Sequence, residues 1–348
     1  MRETRLLLAG TWEEGDERVV VRSPWSGEPV SRVAWAGPPT LERAAAAAAK
    51  AAPEMAAFAP DRRAAILEAA RADLLARKDE VAASIVDEAG KPLSLARAEV
   101  DRAGDTLLAA AHVARFPGLA ARDLSGFASG AGRIALTKRV PLGPVLAITP
   151  FNFPLNLAAH KLAPAVAAGC PVVLKPASQT PTAALLLAAS LVRAGLPDGA
   201  LSVVPSRASD AEALVTDPRF ALLTFTGSAE VGFSLRRKAW DRRVALELGG
   251  NAAVIVEPDW PDLADAARRV ATAAFAWAGQ SCISVQRVFV HRDVAARLAD
   301  LLVEAAESFP TGNPAAEATL CGPMIDAANR ERVLSWVESA RTAGGTLL

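Results

Sequence analysis

Apolar and polar positions change rhythm several times along this chain. Residues 1–36 hold short apolar runs separated by Gly10-Thr11-Trp12 and Ser23-Pro24-Trp25-Ser26-Gly27. That is turn chemistry, and it predicts short strands. Residues 40–116 are dense in Ala, Leu, Glu and Arg, with breaks at Pro53, Pro60 and Gly90–Pro92. This pattern predicts three or four amphipathic helices. A Gly-rich stretch, residues 125–132, then precedes a period-two alternation over Arg133–Val140. Together they predict a hairpin or exposed ribbon over 121–141.

From Pro144 onward apolar strands alternate with helices. Strands are predicted at Val145–Thr149, Pro171–Leu174, Leu201–Val204, Leu222–Phe225, Val244–Leu248 and Ala252–Val256. Helices are predicted at about Leu155–Ala168, Asp210–Thr216, Ala229–Ala239 and Pro261–Ala278. Another should open at Thr180-Pro181, with Thr180 as its N-cap and Pro181 at the first helical position. Strands this apolar, interleaved with helices, make the fold α/β, with a parallel sheet covered on both faces. Ligands of such sheets bind at the carboxyl ends of the strands. A second unit is expected to begin near Gln280, with a strand at Arg287–His291 and helices at Val294–Ser308 and Ala327–Ala343. The closing Gly344-Gly345-Thr346-Leu347-Leu348 reads as a helix end running into a new strand.

The length of 348 residues suits roughly two domains. Lys+Arg and Asp+Glu are both 38, so nothing in the charge favours nucleic acid as a partner. Three widely spaced cysteines, Cys170, Cys282 and Cys321, do not form a disulfide framework and suit a reducing cytoplasm. The histidines His112, His160 and His291 are isolated, so no metal site is expected. The apolar run Leu6–Ala9 is too short for a signal-peptide core, and no stretch reaches membrane-spanning length.

Candidate chemistry centres on Cys282 in Gly279-Gln280-Ser281-Cys282-Ile283-Ser284. A small, polar setting favours an approachable thiolate over a packed thiol. Asn152, between two phenylalanines and two prolines after a strand, is a candidate oxyanion donor or a simple turn residue. Glu247 ends a strand before Gly249 and Gly250; apolar neighbours would raise its pKa toward that of a general base, or it faces water at an edge. Phe225-Thr226-Gly227-Ser228 joins a strand to a helix start, which suits a pyrophosphate or an ordinary cap. Lys175 follows a strand and reaches either a ribose or phosphate, or solvent. His160 and Cys170 read as core residues.

Taken together, six ordered segments resemble the aldehyde dehydrogenase family from about Gly10 to the last residue. They are Pro150-Phe151-Asn152-Phe153-Pro154, Lys175-Pro176-Ala177, Phe225-Thr226-Gly227-Ser228, Glu247-Leu248-Gly249-Gly250-Asn251, Gly279-Gln280-Ser281-Cys282 and Cys321-Gly322-Pro323-Met324-Ile325-Asp326. The resemblance implies a Rossmann-type NAD(P)-binding domain over 1–120 and 142–250, an oligomerisation ribbon over 121–141, and a catalytic domain over 251–348. It implies that Cys282 adds to an aldehyde carbonyl, that Asn152 and the Cys282 N–H hold the oxyanion, and that hydride passes to the nicotinamide. Glu247 would then activate water to hydrolyse the thioester. Ile148, Thr149, Lys175, Ser178, Phe225, Gly227, Ser228, Val231 and Leu248 match positions that touch NAD or NADP in the family.

Where NAD-preferring members usually carry Glu, this chain has Ser178, and Arg207, in Pro205-Ser206-Arg207, is expected to add positive charge nearby. NADP is therefore expected to be accepted, and preference for it is the sharper form of that expectation. Phe151 and Phe153 suggest kinship with members acting on small oxygenated aldehydes. Family members continue further, so the resemblance implies a C-terminally shortened chain, and a homo-oligomer in the full-length form. Two other readings accompany the leading one. One is a nucleotide-binding remnant without turnover. The other is a CoA-acylating enzyme, against which Glu247 argues.

Overall fold

The computed structural model describes all 348 residues. Five short strands open the chain: β1 (Arg2–Thr4), β2 (Leu6–Leu8), β3 (Thr11–Glu13), β4 (Glu17–Arg22) and β5 (Pro29–Trp35). Four helices follow, α1 (Pro38–Ala57), α2 (Pro60–Ala76), α3 (Lys78–Ala89) and α4 (Leu93–Arg115). Pro38 and Pro60 sit in the first turns of α1 and α2, where a missing N–H leaves no partner wanting. Pro53 was expected to break the chain but lies inside α1. The helix continues because Ala44, Ala45, Ala48, Ala51 and Met55 form one buried face across it. The ribbon is present as β6 (Leu119–Asp123) paired antiparallel with β7 (Ile134–Lys138), and every residue of β6 is exposed.

The alternating region gives β8 (Val145–Ile148), α5 (Asn156–Ala168), β9 (Val172–Lys175), α6 (Thr182–Arg193) and β10 (Leu201–Val203). It continues with α7 (Ala208–Val215), β11 (Leu222–Gly227), α8 (Ala229–Lys238) and β12 (Arg243–Leu248). These strands form a seven-stranded sheet in the order β12-β11-β8-β9-β10-β2-β3. The run from β12 to β10 is parallel throughout. The N-terminal β2 adds antiparallel to β10, and β3 to β2. Successive strand residues feed opposite cores. Val145, Ala147, Val172 and Leu174 join one apolar cluster with α2, α4, α5 and α6, while Leu146 and Val173 join another with α1. Both faces of the sheet are therefore covered, as its continuous apolar strands require.

After the main sheet come β13 (Ala252–Val256), α9 (Leu263–Phe275), β14 (Val285–Val290), α10 (Arg292–Glu307) and α11 (Ala327–Thr342). β13 and β14 pair in parallel as a separate sheet over a small core of Val256, Leu263, Ala266, Ala267 and Leu298. This second sheet opens at Ala252, earlier than Gln280. Helix α9 stops at Phe275, short of the expected Ala278, because Trp277 (φ 59) and Ala278 (φ 52) turn into the left-handed region. The closing residues 344–348 form no strand.

Two further expectations are corrected. Cys170 is buried, but His160 is exposed on α5. Thr180 does not cap α6, which begins at Thr182 and has no cap from its own sequence. The Thr182 N–H donates instead to Glu88 Oε2 at 3.0 Å. Glu88, from α3, is 1% exposed and also accepts from the hydroxyls of Ser31 and Thr182. Burial pushes its pKa up from 4.5 to about 7, against hydrogen bonds that favour the charged form.

The folded protein therefore holds a proton on Glu88 that the unfolded chain releases above about pH 4.5. Stability from this group is complete below that pH and is lost as pH rises toward about 7. The slope for one proton approaches about 1.4 kcal/mol per pH unit. Thermal melts from pH 4.5 to 7.5 should show this decline, and Glu88→Gln should flatten it. An unchanged slope in the variant would contradict the assignment.

Candidate active site

Parallel pairing lines the strand ends up at one edge of the sheet. Ile148 is in register with both Lys175 and Phe225, Glu247 with Thr226, and Leu248 with Gly227. Several groups at this edge are short of partners. The Thr149 hydroxyl is buried with no hydrogen bond. Lys175 is 7% exposed and has no carboxylate partner; its ammonium reaches only the Pro176 carbonyl, at 3.4 Å. Burial pushes its pKa down to about 8.

The start of α8 faces the same edge, because it follows directly on Gly227. Ser228 caps it, accepting from the Val231 N–H at 3.4 Å. A Cβ at Gly227 would lie 2.4 Å from the buried Phe225 ring, and one at Gly232 would lie 2.6 Å from Leu248. Only glycine lets the backbone pass this close. Val231 is exposed, and Leu248 is half-buried. A helix N-terminus, an under-bonded ammonium and an orphan hydroxyl form a donor set that fits a phosphate- and ribose-bearing cofactor. The Ser178 hydroxyl lies 3.5 Å from the Ser206 carbonyl. Arg207 departs from expectation: it pairs with Glu17 at 2.7 Å and packs over Trp35, so its charge is already countered.

Cys282 is exposed in the turn before β14. Gln280, two residues earlier, pins that turn. Its Oε1 accepts from the Ile325 N–H at 2.9 Å, and its Nε2 donates to the Trp277 carbonyl at 3.2 Å. The Asn152 amide donates to the Gln280 carbonyl at 2.8 Å, which ties Asn152 to the cysteine turn. One amide N–H of Asn152 is left for another acceptor. A Cβ at Gly250 would lie 3.0 Å from the Cys282 carbonyl, so the segment after Glu247 runs against the same turn. Glu247 is exposed at the end of β12.

Two basic groups lie within electrostatic reach of Glu247. Burial pushes the Lys161 pKa down to about 8, with Glu247 opposing, and its ammonium donates to the Thr224 hydroxyl at 2.9 Å. Partial burial, then Arg102 and Lys161, push the His160 pKa down, again with Glu247 opposing.

Beneath Asn152 lies a group that sequence reasoning missed. Gly90-Lys91-Pro92 reads as a helix break. Lys91 is in fact 1% exposed, with its ammonium 2.6 Å from Glu99 Oε2 and 3.1 Å from the Asn152 carbonyl. The same ammonium sits 3.5 Å from the Phe153 ring centre. Glu99 Oε1 accepts from the N–H groups of Leu155 at 2.9 Å and Asn156 at 3.0 Å. Trp277 donates its indole N–H to the Asn152 carbonyl at 3.0 Å. The available signal was a lysine between glycine and proline, followed eight residues later by a glutamate in a largely apolar helix.

The Aldehyde dehydrogenase family model matches residues 12–348. The chain belongs to this family. It is 39% identical over 348 residues to the 3-sulfolactaldehyde dehydrogenase of Priestia megaterium, covering 72% of that protein. It superposes with a TM-score of 0.96 on aldehyde dehydrogenase 21 from Physcomitrella patens, in complex with the reaction product succinate. That pair shares 38% identity, over 100% of this chain and 73% of the other. A second solved relative is the NADP-dependent glyceraldehyde-3-phosphate dehydrogenase of Bacillus halodurans complexed with NADP. It has a TM-score of 0.95 and 32% identity, over 100% of this chain and 74% of that one. The NAD-dependent aldehyde dehydrogenase of Sinorhizobium meliloti gives 0.94 and 33%, over 99% and 69%. Structural neighbours in the family thus include both NAD- and NADP-dependent oxidoreductases.

Exposure ranks the three thiols of this family member for attack by a small alkylating reagent. Cys282 is exposed, Cys321 is half-buried and Cys170 is buried. Iodoacetamide labelling followed by peptide mass spectrometry should therefore modify Cys282 first and Cys170 last. Early labelling of Cys170 would contradict the fold around β9.

Proposed function

We propose that this protein oxidises an aldehyde to a carboxylic acid, with NAD or NADP as electron acceptor, through covalent capture on Cys282. The observation that carries the reading is the 2.8 Å bond from the Asn152 amide to the Gln280 carbonyl, which ties a candidate oxyanion donor to the turn holding an exposed thiol. The Cys282 thiolate adds to the aldehyde carbon, and the carbonyl oxygen becomes an oxyanion. The free Asn152 amide N–H and the Cys282 N–H hold that charge. NAD(P)+, when held at the sheet edge, would supply the two-electron acceptor for the hydride leaving the same carbon, so that a thioester would remain on Cys282. Glu247 takes a proton from water as its oxygen adds to the thioester carbon, and the Cys282 thiolate leaves. An exposed nucleophilic thiol suits a reducing cytoplasm.

The cofactor would lie along Ile148, Thr149, Lys175, Ser178, Phe225, Gly227, Ser228, Val231 and Leu248. Residues 1–120 and 142–250 would bind it, residues 251–348 would present the nucleophile, and the 121–141 ribbon would pair with further copies of the chain. For substrate we favour a small aldehyde carrying an anionic group. The chain's relatives include sulfolactaldehyde, aspartate-semialdehyde and sulfoacetaldehyde dehydrogenases. On this chain Arg102 is exposed, pairs with no carboxylate, and lies near enough to His160 to act on its pKa.

Steady-state absorbance of the reduced nicotinamide, with a panel of small aldehydes, tests this directly. Turnover should vanish in Cys282→Ala and fall about 10²–10³-fold in kcat in Asn152→Ala. Cofactor binding without any turnover would favour the nucleotide-binding remnant instead. Ser178→Glu should shift the kcat/KM ratio from NADP toward NAD by about tenfold or more, since a like charge beside a 2′-phosphate costs at least ~1.4 kcal/mol. A ratio unmoved by that substitution would place the 2′-phosphate elsewhere.

A further inference from the structure

We infer that the buried Lys91–Glu99 pair is a positioning device that sets Asn152 against the cysteine turn. The inference rests on the oxyanion role proposed for Asn152. Helix α5 begins without a cap from its own sequence. Glu99, on α4 and 2% exposed, supplies that cap by accepting from the Leu155 and Asn156 N–H groups. Its other oxygen holds the Lys91 ammonium at 2.6 Å, and that ammonium donates to the Asn152 carbonyl at 3.1 Å. One ion pair therefore grips the 152–156 turn at both ends.

Trp277 closes the arrangement from the other side. Its backbone is held in the left-handed region, with its own N–H donating to the Leu320 carbonyl at 2.9 Å. From there its indole donates a second bond to the Asn152 carbonyl. The Asn152 backbone is then held by Lys91 and Trp277, and its side chain by the Gln280 carbonyl. These three bonds tie both the backbone and the amide of Asn152 to the side of the turn that holds Cys282.

Stability alone does not account for the charges. Burying an ion pair costs desolvation, and well-packed apolar replacements are often equally stable. What an apolar pair cannot do is donate to a carbonyl and accept from two helix-start amides at once. The geometry of the turn is therefore the property that the charges secure.

A double-mutant cycle tests this in the full-length protein. Lys91→Met and Trp277→Phe each remove one donor to the Asn152 carbonyl. Each should lower kcat about 10- to 100-fold while the aldehyde KM and the NAD(P) Kd hold. In an Asn152→Ala background each should leave kcat within about twofold, because the group being positioned is gone. An equal fold-loss in both backgrounds, or wild-type kcat in the single variants, would overturn the inference. If Lys91→Met fails to fold by circular dichroism, Trp277→Phe decides alone, since it leaves the ion pair intact. Wild-type kcat in Asn152→Ala itself would instead sink the oxyanion reading, a separate and recognisable result.

Discussion

The parallel sheet is the constraint from which the rest of the molecule follows. Parallel strands require crossovers, and the crossovers place helices on both faces. Each central strand must then be apolar on both sides, as Val145–Ala147 and Val172–Leu174 are. The same geometry collects the carboxyl ends of the five parallel strands β8 to β12, and the following helix starts, along one edge. The start of α8, the under-bonded Lys175 ammonium and the unpartnered Thr149 hydroxyl lie along that edge.

Helix starts near the site are completed by carboxylates from other helices. Glu88 of α3 serves α6, and Glu99 of α4 serves α5. The two are managed differently. Glu99 faces the Lys91 ammonium, so its charge is countered inside the protein. Glu88 has only hydroxyls and an amide, and burial raises its proton affinity. The first arrangement keeps a charged network beside the candidate chemistry, and the second makes stability sensitive to pH. Both lock the helical layer to loops that the sheet alone would leave free.

Charge is placed economically elsewhere around the site. Arg207 is held by Glu17, so the basic residue expected beside Ser178 is already paired. Arg102 and Lys161 lie within electrostatic reach of His160, and Lys161 and His160 within reach of Glu247.

Periodicity and punctuation alone determined the α/β class, the order of strands and helices, the ribbon and the clustering of motifs at strand ends. These are local properties, since an apolar run of a given period has few ways to bury itself. Cys282, Asn152 and Glu247 stood out as candidates by residue type and setting, and the roles proposed for them rest on the ordered motifs that resemble the family. Only the tertiary structure decided the rest. The Thr180 cap gave way to Glu88, ninety-odd positions away. Lys91, in the expected break between α3 and α4, became a buried donor to the Asn152 carbonyl. Trp277 left the helix for a left-handed turn that reaches the same atom. Each outcome depends on which side chain arrives from elsewhere in the chain, and no local pattern encodes that.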